Sequence, residues 1–104
     1  MTTETRELIC METLEQVAPI IRVAAHPLRL RILDFLDQAG TPKTVGEIGD
    51  ACGEGASQAV ISQQLRLLKD QNVLSATREG TRVYYAIADR SVLYLLECIR
   101  QRRP

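Results

Sequence analysis

At 104 residues, with 13 basic and 13 acidic side chains, the chain has room for one domain and carries a formal net charge of zero. Its 45% hydrophobic content includes one Phe, three Tyr and no Trp, so the core must be aliphatic, and no apolar run nears the ~20 residues that cross a bilayer. Three Cys without tight spacing exclude a secreted disulfide scaffold; the first apolar stretch, Leu8–Met11, is too short for a secretory signal, and the chain reads as soluble and cytoplasmic.

In chain order, the first element is helical. Leu8, Met11, Leu14, Val17, Ile21 and Ala24 follow a helical period over residues 4–24. Pro19 removes a backbone donor and clashes one turn back. The segment therefore reads as two pieces or one kinked helix, broken near Val17–Pro19, with Thr13 and Gln16 available to cap a second start. His26-Pro27 opens the next helix, with Pro27 in the first-turn position that tolerates it. Leu28, Ile32, Leu33, Phe35 and Leu36 form its apolar face, Arg29, Arg31, Asp34 and Asp37 lie mostly off it, and Gly40 ends it.

Thr41-Pro42-Lys43 reads as a turn. Thr44 and Glu47 form a capping box for a short helix over 44–52, and Gly53-Glu54-Gly55-Ala56 is a loop. Ser57 caps a longer helix over 57–71, with Val60, Ile61, Leu65, Leu67 and Leu68 mostly on one side and Asn72 suited to its stop. The period then changes to that of strands. Residues 73–78 and 82–87 flank Glu79-Gly80-Thr81 as a short hairpin, with Gly80 free to take positive φ. Asp89 caps a last helix over 90–102 that carries Val92, Leu93, Leu95, Leu96 and Ile99. The fold class is mainly α with a β-hairpin wing.

Residues 44–71 are two helices joined by a short glycine-containing turn, a helix-turn-helix candidate. The first two turns of the second helix offer Ser57, Gln58, Ala59, Ser62, Gln63 and Gln64 opposite its aliphatic side. Glutamine pairs with adenine through N6 and N7, and serine serves either a base edge or a phosphate. Arg66 and Lys69 continue the helix with positive charge, and Arg78 and Arg82 flank the hairpin tip, where they suit phosphates or the minor groove. Residues 73–87 then form a basic wing, and the ordered set reads as a winged helix-turn-helix. A recognition helix places its N-terminal residues against bases.

The zero net charge hides two unlike halves. Residues 1–56 hold five basic and nine acidic groups, net −4, and residues 57–104 hold eight basic and four acidic, net +4. The basic excess falls on the recognition helix, the wing and the last helix, as a polyanion-facing surface requires. There is no Ser/His/Asp or Cys/His constellation and no phosphate loop, and one His supplies little acid–base chemistry, so no enzyme is expected. The competing function class is a winged-helix protein–protein interaction module without DNA readout.

These residues resemble the ArsR/SmtB family of repressors. The run Ala25-His26-Pro27-Leu28-Arg29-Leu30-Arg31-Ile32-Leu33 is similar to the opening of that family's second helix, and Thr44-Val45-Gly46-Glu47-Ile48 to its third. Residues 57–69 resemble its recognition helix, with Gln64 where the family often has His, and residues 78–85 resemble its wing; the likeness covers about residues 17–99. The resemblance implies a homodimer joined through the terminal helices, 1–24 and 90–102, bound to an inverted-repeat operator in double-stranded DNA and released by an inducer. Terminal helices more apolar than a 104-residue monomer needs agree with this.

The resemblance also implies metal sites to be checked. Thr44 and Gly46 stand where the family's third-helix thiols would be. Asp89 matches the last-helix zinc site, but Ser91 and Arg102 stand where His is needed. His26 reads as structural. In the fold the resemblance implies, the first helix of one subunit passes near the third helix of the other, which would bring Cys10 to Cys52 as a redox or reactive-sulfur switch or as a thiol site for arsenic or a soft metal. Cys52, followed by a glycine-containing loop, is expected to be exposed, and Cys98 to be a packed apolar group on a dimer helix.

Overall fold

The computed structural model describes residues 7–102. Its elements follow in the order α1 (Met11–Ala24), α2 (Pro27–Ala39), β1 (Lys43–Thr44), α3 (Val45–Cys52), α4 (Gln58–Asp70), β2 (Leu74–Glu79), β3 (Arg82–Ile87) and α5 (Ser91–Arg100). Among the described residues, no helix is long and apolar enough to cross a membrane.

Local chemistry sets most element boundaries. His26 caps α2 through its imidazole, whose Nδ1 accepts the Leu28 N–H at 3.2 Å, and Pro27 occupies the first helical position. Gly40 ends α2 at φ 70°, in the left-handed region. Thr44 and Glu47 form the expected reciprocal capping box at α3. The Ser57 hydroxyl accepts the Val60 N–H at 3.2 Å to start α4. At the other end of α4, Asn72 takes φ 61°. The Asn72 and Val73 N–H groups return to the Lys69 and Leu68 carbonyls, both at 2.9 Å, a Schellman closure that buries Leu68 against Val73. Before α5, an Asp89 carboxylate oxygen accepts the Ser91 N–H at 2.9 Å; the helix begins one residue later than expected, with Arg90 at its N-cap, so Asp89 holds the first turn from just outside it.

Two expectations are corrected. Pro19 lies inside α1, which runs unbroken through it, and Thr13 is a helix-interior residue rather than a second cap. Both Pro19 and Glu15, whose carbonyl loses its helical donor to the proline, are exposed, so the break in the hydrogen-bond ladder falls on the solvent side of the helix. Residues 4–6 of the expected helical stretch, and 1–6 of the expected dimerisation segment, lie outside the described residues. The second correction concerns Lys43, which belongs to a strand and not to a turn. Lys43 and Thr44 pair with Tyr85 and Tyr84, so the hairpin is two strands of a three-stranded antiparallel sheet of order β1-β3-β2. The wing itself closes through Gly80 and Thr81 between the paired Glu79 and Arg82. Gly80 supplies the positive φ (63°) that the first position of such a two-residue turn requires.

The buried residues form one apolar cluster in which Ile32, Leu33, Ile48, Ile61, Leu65, Leu68, Val73, Leu74 and Val92 are almost wholly enclosed. It joins α2, α3, α4, the base of the wing and α5, and so fixes the recognition helix relative to the hairpin. Helix α1 buries Val23 and Ala24 in it and packs the half-buried Ile20 against it; Met11 (66% exposed) and Ile21 (51%) of α1, and Leu8 (95%) ahead of it, face outward.

Candidate nucleic-acid interface

Helices α3 and α4 are held at their turn by Ile48 and Cys52 from the first and Ile61, Leu65 and Leu68 from the second, all buried. Burial of 61, 65 and 68 on one side of α4 dictates what the other side presents. Gln58, Ala59, Gln63, Arg66 and Lys69 are exposed, and Ser62 is half-buried. Of the expected contacts, these six are brought to one open face. Ser57 is also exposed, but its hydroxyl oxygen is committed to the Val60 N–H, leaving its proton as the free function.

Gln64 departs from the simple picture. It is half-buried, and its Oε1 accepts from Arg29 Nε at 2.6 Å. The same guanidinium donates through Nη1 to the Val23 carbonyl at 3.1 Å. One arginine of α2 thus ties the last turn of α1 to the recognition helix.

Val60 was missed. It counts with the aliphatic side by composition, yet it is 38% exposed and shares a shallow depression with Ala59, Ser62, Gln63 and Arg66. The signal was present in the spacing: residue 60 is one position out of step with 61, 65 and 68. A methyl-bearing side chain at this place can touch a thymine methyl.

The wing register separates its two arginines. Arg78 lies opposite Val83, and Arg82 opposite Glu79. Directly opposed residues share a face and successive residues alternate, so Arg78 and Arg82 leave the ribbon on opposite sides. Arg82 lines a cleft with Gln58, Thr44 and Gly46, on the side of the α3 and α4 N-termini. Arg78 bends toward the tip, where its Nε donates to the Gly80 carbonyl at 3.2 Å.

Cys52 does not follow expectation. Cys52 is 3% exposed, because the last turn of α3 packs into the core, and its Sγ faces the Arg31 carbonyl at 3.8 Å. Desolvation pushes its thiol pKa up, Asp34 adds to that, and Arg31 opposes it, so the exposed, reactive thiol expected here is not formed. Cys52 lies at the edge of a groove of about 620 Å³ between α2 and α5, lined also by Leu30, Phe35, Leu96 and Ile99 and flanked by the Asp34–Arg100 ion pair. Cys10 and Cys98 are exposed in the single chain; Cys98 lies on the outer side of α5, away from Val92 and Leu96, on the helix expected to pack across the dimer.

At the positions to which the family resemblance points, the candidate donors are already engaged. Thr44 Oγ1 and the Glu47 carboxylate are engaged with one another and with the backbone, and Asp89 is occupied in capping α5. Among the described residues no group of three or more His, Cys, Asp or Glu is placed to hold an ion.

Known proteins resemble the chain in both sequence and shape. A family described as a helix-turn-helix domain matches residues 24–75. The chain is 38% identical over 87 residues to the HTH-type transcriptional regulator Rv0324 of Mycobacterium tuberculosis, covering 84% of this chain and 37% of that protein. It is 32% identical over 89 residues to a transcriptional repressor SmtB homolog of Synechocystis sp., covering 86% and 64%. It therefore spans between about a third and two thirds of the length of these two relatives. Among solved structures, the AntR antimony-specific transcriptional repressor superposes with a TM-score of 0.79 at 30% identity, covering 95% of this chain and 89% of that one. The homodimeric winged helix-turn-helix DNA-binding domain of Mb0332 from Mycobacterium bovis superposes with a TM-score of 0.70 at 36% identity, covering 86% and 80%.

Proposed function

The chain belongs to the ArsR/SmtB family of winged helix-turn-helix DNA-binding transcriptional regulators, and from that premise we propose that it is a homodimeric repressor that binds an inverted-repeat operator and leaves it when an inducer binds. The observation that carries the DNA reading is the open polar face of α4, with Gln58, Gln63, Arg66 and Lys69 exposed beside a wing whose Arg82 lines the same cleft as Gln58. Helix α4 enters the major groove with Gln63 at a base edge, while Arg66 and Lys69 meet phosphates. The wing ribbon, with one arginine on each side, contacts the flanking backbone or minor groove.

A dimer is supported by α1, whose outward apolar residues lack a partner in the chain's own core, and by the homodimeric relative of similar shape. A two-fold pair presents two copies of α4 to half-sites one helical turn apart. The test is fluorescence anisotropy with the DNA upstream of the chain's own gene, over a salt series. Specific binding that weakens with log salt is expected, and a flat response with no sequence preference would overturn the reading.

For the inducer, this reading keeps the thiols of Cys10 and Cys52, with a soft metal or metalloid such as arsenic, or an oxidant or reactive sulfur species, as the agent. Support comes from the apolar groove that Cys52 borders and from the antimony-specific repressor of similar shape. Because Cys52 is buried, an agent bridging both thiols must loosen the end of α3, and that movement, transmitted to α4, is what would release DNA. Variants Cys10→Ser and Cys52→Ser that both stay fully releasable by arsenite, persulfide and peroxide would exclude it.

A further inference from the structure

Valine is an unexpected occupant of the first turn of α4. The larger aliphatic side chains of this helix otherwise go inward: Ile61, Leu65 and Leu68 belong to the buried cluster, and Leu67 packs against it. Val60 does neither and is 38% exposed. A β-branched residue also lowers helix propensity, so Val60 gives the free fold little that alanine would not.

Its neighbours share the open face of α4. The depression that Val60 lines is made of residues of this helix alone, with Ala59, Ser62, Gln63 and Arg66, on the surface left outward by the burial of 61, 65 and 68. Val60 and Ala59 supply its apolar part, and Ser62, Gln63 and Arg66 its polar part. Val60 and Gln63 are three positions apart, and such residues are neighbours on a helix surface, about 5–6 Å between Cβ atoms. The Ser57 hydroxyl accepts the Val60 N–H at 3.2 Å, and a helical valine keeps almost entirely to one rotamer. The two methyls are therefore in place before a ligand arrives.

An aliphatic group beside an amide complements one kind of base-pair edge. In the major groove an A·T pair shows adenine N7 and N6–H and, on the other strand, the thymine methyl, whereas a G·C pair shows no methyl. Serine, glutamine and arginine find hydrogen-bond partners on several bases and on phosphates. A valine methyl has one favoured partner among the base edges, the methyl of thymine. The separation of Val60 from Gln63 corresponds to one or two base-pair steps of about 3.4 Å.

We infer that Val60 is a specificity-determining residue that packs on a thymine methyl, within two base pairs of the base that Gln63 reads, and so selects thymine over cytosine there. The inference rests on the DNA-binding reading above.

The test uses the full chain and the DNA duplex it selects from a random library. Each thymine of one half-site is replaced in turn by uracil, which removes the methyl and leaves every hydrogen-bonding group. Wild type should lose about fourfold in affinity at one position, the equivalent of about 0.8 kcal/mol for one buried methyl carbon. Val60→Ala should bind the thymine duplex about fourfold more weakly and show no further loss with uracil at that position, while its helix content and melting temperature stay as in wild type. A uracil penalty that persists in Val60→Ala would place the methyl contact on another residue and overturn the inference. A scan with no penalty at any thymine would make Val60 an ordinary surface residue, overturning the inference and leaving the DNA reading intact. A Val60→Ala protein that melts clearly lower would show that the side chain serves the fold, and would overturn it too. A wild-type protein that selects no sequence would overturn the DNA reading, and this inference with it.

Discussion

Gly53 closes α3 onto Gly49: its N–H donates to the Gly49 carbonyl at 2.8 Å, and a methyl group on Gly53 would lie 2.7 Å from that same oxygen and 3.4 Å from the Ile61 side chain. The obstructing atom is backbone, so no rotamer change relieves it. The close approach sits at the turn of the helix-turn-helix and sets how tightly α4 follows α3. Gly53→Ala is therefore expected to lower stability by about 1–3 kcal/mol, the usual cost of forcing a methyl into filled space. Urea unfolding measures it. Gly55, two residues on, has open space around it but a φ of 72°, so Gly55→Ala should cost about 1–2 kcal/mol through backbone strain alone. A Gly53→Ala protein as stable as the wild type would show that the turn relaxes freely.

The α3 capping box makes stability depend on pH. The Thr44 backbone N–H, and then its hydroxyl, hold the Glu47 carboxyl below its ordinary value. A carboxyl with a lowered folded value stabilises at pH above the ordinary carboxylate range and loses that contribution as pH falls through the lowered folded value. Glu47→Gln has no charge to lose. The difference in unfolding free energy between wild type and Glu47→Gln should therefore shrink steadily on acidification. A difference that stays constant down to the acid limb would mean that the box makes no charge-dependent contribution.

On α4, Gln63 and Lys69 are both exposed but differ in chemistry. Gln63→Ala is expected to cost about 1–3 kcal/mol against the preferred base and to relax preference at one position. Lys69→Ala should weaken binding to all sequences alike and reduce the log–log salt slope by about one. Anisotropy titrations of specific and scrambled duplexes at several salt concentrations separate the two, and the same response from both variants would contradict the assignment.

Burial and the raised thiol value predict the order of cysteine reactivity. Cys52 is the enclosed residue of the three, with desolvation disfavouring its thiolate. Under native conditions iodoacetamide should label Cys10 well before Cys52, and denaturant should abolish the difference. Peptide mass spectrometry over a labelling time course reads this directly. Cys52→Ser should also destabilise by about 1–3 kcal/mol, since burying a hydroxyl costs more than burying a thiol and the shorter C–O bond draws it back from the Arg31 carbonyl that lies 3.8 Å from Sγ.

What could be read from the sequence was whatever local chemistry decides. Thr44 with Glu47, Ser57, Asp89 and Asn72 all mark helix ends as expected, because each acts on backbone groups within five residues. What depended on distant partners was not legible. Strand β1 exists only because Tyr84 and Tyr85 lie alongside it. The glycine after Cys52 suggested exposure, while the packing of α3 onto Ile61 and α2 decided for burial. The tie from Arg29 to Gln64 spans 35 positions. Half of it was nonetheless written locally, since Pro27 at the head of α2 leaves the Val23 carbonyl without a donor. Gln64 was legible as part of the recognition helix, but not as the residue through which α2 holds that helix.

The small share of α1 in the core has a consequence for how the chain acquires order. A helix of 14 residues containing Pro19 is marginal in water by itself, and Ile20, Val23 and Ala24 anchor only its second half. Its first two turns should then fold only as they are covered, so mass action governs their helicity. Helix content per chain, followed by circular dichroism, should climb as the protein is concentrated, while the wing and recognition helix keep the same signal throughout. Dilution would thus melt one end of the molecule and leave the DNA-reading face intact.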